Sequence, residues 1–165
     1  MVPVDKFSLV YDAAEDRLAW DNQDRKGVTT RLWLTQRFCK GFVQALAPML
    51  EKAAGGGPPG SEAVVQSWEQ AAAMTGFGKT APVRPDATTP AGLVRAAHIQ
   101  PSTNGLKVTF EFGVEDSRGI ELAFPASRQM LAVMHRLYVA AGWPLEVWPV
   151  WIRAPAADLP PGTVN

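Results

Sequence analysis

Two stretches of this 165-residue chain lie over one another without a gap, and that overlay constrains the fold more than any other feature. With Gly27 set on Gly119, Leu18 falls on Phe110, Trp20 on Phe112, Asp24 on Asp116, Lys26 on Arg118 and Val28 on Ile120. Leu32 then falls on Phe124, Thr35 on Ser127, and Phe38, Phe42 and Leu46 on Met130, Met134 and Tyr138. Self-similarity at one fixed spacing is the mark of an internal repeat. Identities are few, yet loop length, candidate helix cap and apolar phase hold in a single register. The overlay therefore predicts tandem β-β-β-α units over about 5–53 and 93–142 of one domain, 1–165. Two such units give an α+β fold: an antiparallel sheet of about six strands, helices packed on one face, and approximate internal twofold symmetry.

Local patterns support the units. FSLVY (7–11) favours strand, DAAED supplies a turn before RLAW, and DNQDRKG reads as a loop. In VTTRLWL, Val28, Leu32 and Leu34 fall on one side, which turns Arg31 and Trp33 to the other. Thr35 is a helix cap, and Phe38, Phe42, Leu46 and Met49 form a helical stripe to about Lys52, with Pro48 expected to kink or shorten it. The second half repeats this with LVRAAHIQ, LKVTFEF, IELAFP, a cap at Ser127 and a helix ending at Gly142. Between the units, over 54–92, come the breaker AAGGGPPG, a helix SEAVVQSWEQAAAM capped by Ser61, and a Gly-, Pro- and Thr-rich loop. The sheet face turned away from the helices is expected to display Arg17, Ala19, Thr29, Arg31 and Trp33 with Lys107, Thr109, Glu111 and Glu121; a one-residue slip would reverse it.

Charge excludes some functions. Sixteen basic residues balance sixteen acidic ones, and each of the segments 1–54, 55–92 and 93–165 is near neutral, so no long-range field draws in nucleic acid or an anionic membrane. A lone cysteine forms no internal disulfide, the first residues lack an export signal, and no apolar run approaches the roughly 20 residues of a membrane span. The expectation is a soluble cytoplasmic protein that does not engage membranes.

Motifs of chemistry are scarce. AMTGFGKT (73–80) fits a loose phosphate-binding loop, but helical EQAAAM precedes it and APVRPDATTP follows, where that loop needs a strand and then a helix. His98, His135 and Cys39 do not stand at metal-ligand spacing, and Cys39 reads as core. Acidic residues at 12–16 and 21–24 sit in turns, and no GxSxG elbow occurs. No catalytic residue, metal or cofactor is expected. WPLEVWPVWIRAP places Trp143, Trp148 and Trp151 within nine residues, and Pro144 and Pro149 prevent one continuous helix. These rings either seal the core or form a partner-binding or oligomer-forming segment, since Trp is enriched at interface hot spots. ADLPPGTVN beyond them reads as a flexible tail.

YDAAEDRLAW followed by RLWLTQRF resembles a family of small proteobacterial proteins in which an acidic EDRL turn precedes a strand ending in WLT and a basic residue. The resemblance covers roughly the first 50 residues and implies no activity. In layout, tandem strands followed by a helix are similar to the PUR-alpha and Whirly single-strand-binding folds, a likeness of topology only. The expected function is a non-enzymatic protein-binding or adaptor module, a homo-oligomer or a subunit of a larger assembly, acting through Arg17, Arg31, Trp33, Trp143, Trp148 and Trp151. The alternative is a single-stranded nucleic-acid binder that stacks bases on Trp33 and contacts backbone through Arg17, Arg31 and Lys107.

Overall fold

The structure is a computed structural model that describes residues 2–75 and 81–153. The loop 76–80 of AMTGFGKT and the tail ADLPPGTVN lie outside the described residues. Three strands, β1 (Val2–Asp12), β2 (Arg17–Asp24) and β3 (Thr29–Leu34), lead into helix α1 (Gln36–Ala54), and α2 (Glu62–Met74) follows. The second half holds β4 (Ala91–Leu93), β5 (Ala96–Ser102), β6 (Gly105–Glu111), β7 (Ser117–Ala123), α3 (Phe124–Ala141) and the single turn α4 (Val150–Arg153).

The α+β class holds, but the sheet differs from the one expected. It has seven strands in the order β4-β3-β2-β1-β7-β6-β5 and is mixed, not purely antiparallel. Each meander is antiparallel within itself, whereas the joints between halves are parallel: Val2 and Pro3 pair with Arg118 and Gly119, and Arg31–Trp33 pair with Ala91–Leu93. The two end strands of this order, β4 and β5, are separated in the chain only by Val94 and Arg95. The Val94 N–H donates to the Trp33 carbonyl at 3.0 Å and the Arg95 N–H to the Glu111 carbonyl at 2.8 Å. One stretch of chain thus joins both rims, and the sheet curls until its ends meet.

Curling brings the inner faces of the halves together. Trp20 on β2 and Phe110 on β6 have ring centroids 4.5 Å apart, whereas strands three places apart in a flat sheet stand about 14 Å apart. Phe38 and Phe42 of α1 pack on Phe110, and Met130, Leu131, Met134 and Tyr138 of α3 join the same cluster with Leu18, Leu32, Val108 and Leu122. The concave face is the core, and the helices fill it.

Strand pairing also corrects the overlay. Leu18 pairs with Leu34 as Leu106 pairs with Leu122, and Trp20 pairs with Leu32 as Val108 pairs with Ile120. Each of these residues stands 88 positions from its counterpart (106 − 18, 122 − 34), not the 92 that sets Gly27 on Gly119. The caps follow: Thr35 accepts from the Phe38 N–H, and its counterpart at 88 is Ala123, the residue in the cap position before α3 begins at Phe124. Ser127 is not a cap. It is fully buried one turn inside the helix, because Pro125, with φ already helical, starts α3 earlier. Ser61 likewise makes no side-chain cap; its hydroxyl donates to the Pro58 carbonyl. Pro48 neither ends nor shortens α1 and sits on its exposed side. Asp21 and Asn22, expected in a loop, are buried members of β2, with the Asn22 amide donating to the Thr30 carbonyl at 2.9 Å.

Candidate functional site

Arg31 and Trp33 lie on β3 facing away from the core, as the alternation requires, and each is half-buried. Directly across on β2 are Asp21 and Ala19. Asp21, only 2% exposed, takes a two-pronged bond from Arg31, 2.6 Å from Nε and 2.8 Å from the terminal nitrogen. That bond, ahead of the opposing cost of burial, raises the Arg31 pKa further, so its charge is permanent and already neutralised. The guanidinium also lies 5.2 Å from the Trp33 ring centroid. Ala19, expected on display, is fully buried. Arg17 stands apart at the hairpin turn, 3.7 Å from Glu15 with both side chains largely in solvent, a contact worth little. Lys107, Glu111 and Glu121 are exposed as the alternation predicts.

The C-terminal tryptophans are 6%, 1% and 8% exposed for Trp143, Trp148 and Trp151. Trp143 and Trp148 each meet the Tyr138 ring edge to face at 4.9 and 5.1 Å, and Trp148 meets His135 at 5.2 Å. The Trp143 indole donates to Asp16 at 2.9 Å and that of Trp151 to Glu51 at 2.9 Å. All three rings therefore close one end of the core.

Helix α2 presents an apolar surface that sequence reasoning missed. It is turned inside out relative to its composition: Gln66 and Gln70 are buried, whereas Val64 is 48% and Trp68 69% exposed. The inward side is polar because Arg128, itself 2% exposed, waits there. Its guanidinium donates to the Gln66 side-chain and backbone oxygens and to the Leu50 carbonyl, and lies 4.7 Å from the Trp151 ring. Gln66 donates to the Glu51 carbonyl at 3.1 Å and Gln70 to the Arg128 carbonyl at 3.3 Å. Burial is the main cause lowering the Arg128 pKa, and no carboxylate pairs with it among the described residues. A buried cation needs oxygen partners, and supplying them fixes the rotation of α2. Val64 and Trp68, one turn apart, are thereby left pointing outward. The only sequence signal was the spacing of the two glutamines, which by polarity alone reads as a solvated face.

Groups capable of chemistry do not converge. Cys39 is fully buried, and burial pushes its thiol up to about 12, far from a reactive thiolate. His98 faces solvent against Glu111 at 3.0 Å. Among the described residues no three His, Cys, Asp and Glu side chains are grouped so as to hold a metal, and no helix is long and apolar enough to cross a membrane. Among the open grooves beside the helices are one of about 470 Å³ between α1 and β5 and one of about 550 Å³ between α3 and β1. Comparison with protein-family models, curated proteins and solved structures finds no match to the chain.

Proposed function

We propose that the protein is a non-enzymatic protein-binding module of the cytoplasm, acting as an adaptor or as a subunit of an assembly. The observation that carries this reading is Trp68, 69% exposed beside Val64 on a helix whose polar side is committed inward to Arg128. Trp is enriched at interface hot spots, and the bonds that anchor α2 to Arg128 and to the Glu51 carbonyl hold this one outward. Arg31 and Trp33 form a second, more polar contact surface on the sheet, with Arg17 a separate contact at the neighbouring hairpin turn. Trp143, Trp148 and Trp151 serve this reading as core packing: Trp143 and Trp148 meet Tyr138 of α3, and Trp151 of α4 bonds Glu51 of α1. Nucleic-acid binding over Trp33 has less support, since Arg31 spends its charge on Asp21. We further read the two halves as a tandem duplication, supported by strand pairings that recur at a spacing of 88.

Sedimentation velocity across a wide concentration range, with wild type and Trp68→Glu compared alone and on affinity resin, tests the main reading. Association by the wild type that the variant loses, with both equally stable to heat, is the expected outcome. A wild type that stays monomeric and retains on resin only what the variant retains would refute it.

A further inference from the structure

The two grooves are counterparts of one another. Phe38, Gly41, Phe42 and Ala45 line the α1 groove, and the residues 88 positions on, Ala126, Gln129, Met130 and Val133, line the α3 groove. Their opposite walls correspond as well, at a spacing of 90: Val94, Ala97 and Ile99 of one match Val4, Phe7 and Leu9 of the other. The α3 groove lies where β1 leaves β7 after Pro3, and the α1 groove where the chain leaves the β3 edge at the end of β4 and enters β5. A piece of irregular chain from another part of the molecule lies along the α3 groove. Pro82 lines it, and the N–H of the next residue, buried Val83, donates to the Ser8 hydroxyl on β1 at 2.8 Å.

No such segment among the described residues lines the α1 groove, and its chemistry is distinct. Its floor is apolar, none of its lining residues is acidic, and Arg37 and Arg95 are both exposed at it. Neither arginine side chain makes a hydrogen bond or ion pair among the described residues. Where the α3 groove carries Gln129, this one carries Gly41, and a Cβ built there would meet nothing within 4 Å. An apolar channel ending at two guanidinium groups that make no ion pair among the described residues is complementary to an apolar segment that bears carboxylates.

We propose that the groove between α1 and β5 is a docking site for an extended, proline-tolerant peptide segment of a partner protein, with aliphatic side chains for the floor and an acidic side chain for Arg37 and Arg95. The inference rests on the protein-binding reading and names the chemistry of one partner. It does not depend on Trp68.

The probe is a fluorescein-labelled eight-residue peptide alternating leucine and glutamate around a central proline, with a lysine-for-glutamate peptide as control, followed by fluorescence anisotropy. The acidic peptide should bind and the basic one should not, with affinity falling as salt rises. Gly41→Leu, whose Cβ would meet nothing within 4 Å, extends a side chain into the groove and should weaken binding by at least about tenfold while leaving the fold intact, as loss of one well-packed apolar contact implies. Arg37→Glu with Arg95→Glu should reverse the preference toward the basic peptide, a readout that a merely structural role would not move. Trp68→Glu should leave peptide binding unchanged. Equal binding of both peptides, no binding of either, or wild-type affinity in a folded Gly41→Leu protein would overturn the proposal. Self-association lost in Trp68→Glu alongside any of these would sink only the groove, not the protein-binding function.

Discussion

The indole N–H of Trp143 donates to the carboxylate of Asp16 at 2.9 Å, across a sequence separation of 127 residues. The same oxygen accepts from the Tyr11 hydroxyl at 2.9 Å, and the Tyr11 and Trp143 rings meet edge to face. Asp16 holds a left-handed φ of 49°, which Asp tolerates better than most residues. The β1–β2 hairpin turn is therefore tied to the end of α3.

Replacing Asp16 with Ala removes both bonds and strains the turn, at a cost of about 1–3 kcal/mol. Asp16→Asn keeps an acceptor and the backbone preference, so it should cost less. Urea unfolding curves for the two variants give the order, and a red shift in tryptophan emission in Asp16→Ala alone would place the loss at Trp143.

The thiol of Cys39 should be inert in the folded protein. With its pKa pushed up to about 12 by burial, a disulfide-exchange reagent at neutral pH should label it only at the rate of unfolding. Labelling within minutes under native conditions would show that α1 opens locally.

Stability should fall in mild acid because of His135. Among the described residues its buried Nε2 has no hydrogen-bond partner, and its ring packs on Trp148, so burial first, and then Arg153, hold its pKa below the ordinary value. As pH drops through about 6.5, the unfolded chain binds a proton that the folded chain refuses, and stability declines. Guanidinium unfolding at pH 7.5 and 5.5 should show that loss in the wild type and a smaller one in His135→Gln.

Two glycines make opposite predictions. A Cβ on Gly105 would collide with the Leu122 carbonyl and the Ala123 backbone, so Gly105→Ala should cost about 3 kcal/mol by overpacking the β6–β7 pair. Gly41 has open space and lies inside a helix, so Gly41→Ala should stabilise by roughly 0.5–1 kcal/mol. Thermal melts of the two variants check both signs.

The overlay shows what the chain disclosed on its own and what it withheld. A shift of four residues, from 92 to 88, preserves a period of two in full and a period of 3.6 nearly so. Apolar patterns therefore cannot tell the two registers apart, and only the pairing of Leu106 with Leu122 decides. The turning of Arg31 and Trp33 away from the core was legible by alternation, but the partner of Arg31 was not, because Asp21 among DNQD reads as a turn residue. Strand β4 is three residues beside Pro90, too short to carry a pattern, and it exists because β3 offers it an edge. Trp68 was hidden by the rule that glutamines face water, a rule that the buried Arg128 reverses.

The two-residue link at Val94 and Arg95 also governs how the molecule can come apart. Of the two end strands so joined, β4 at three residues is too short to support edge-to-edge growth, whereas β5, seven residues long and paired only with β6 among the described residues, keeps an outer edge. Neither half holds a core of its own. A nick between Val94 and Arg95 would leave one piece with Trp20 and the other with Phe110, each exposing half of a single core. Such pieces should be unstructured apart and should recover the fold when mixed, making this bond a natural place to split the protein into a complementing pair.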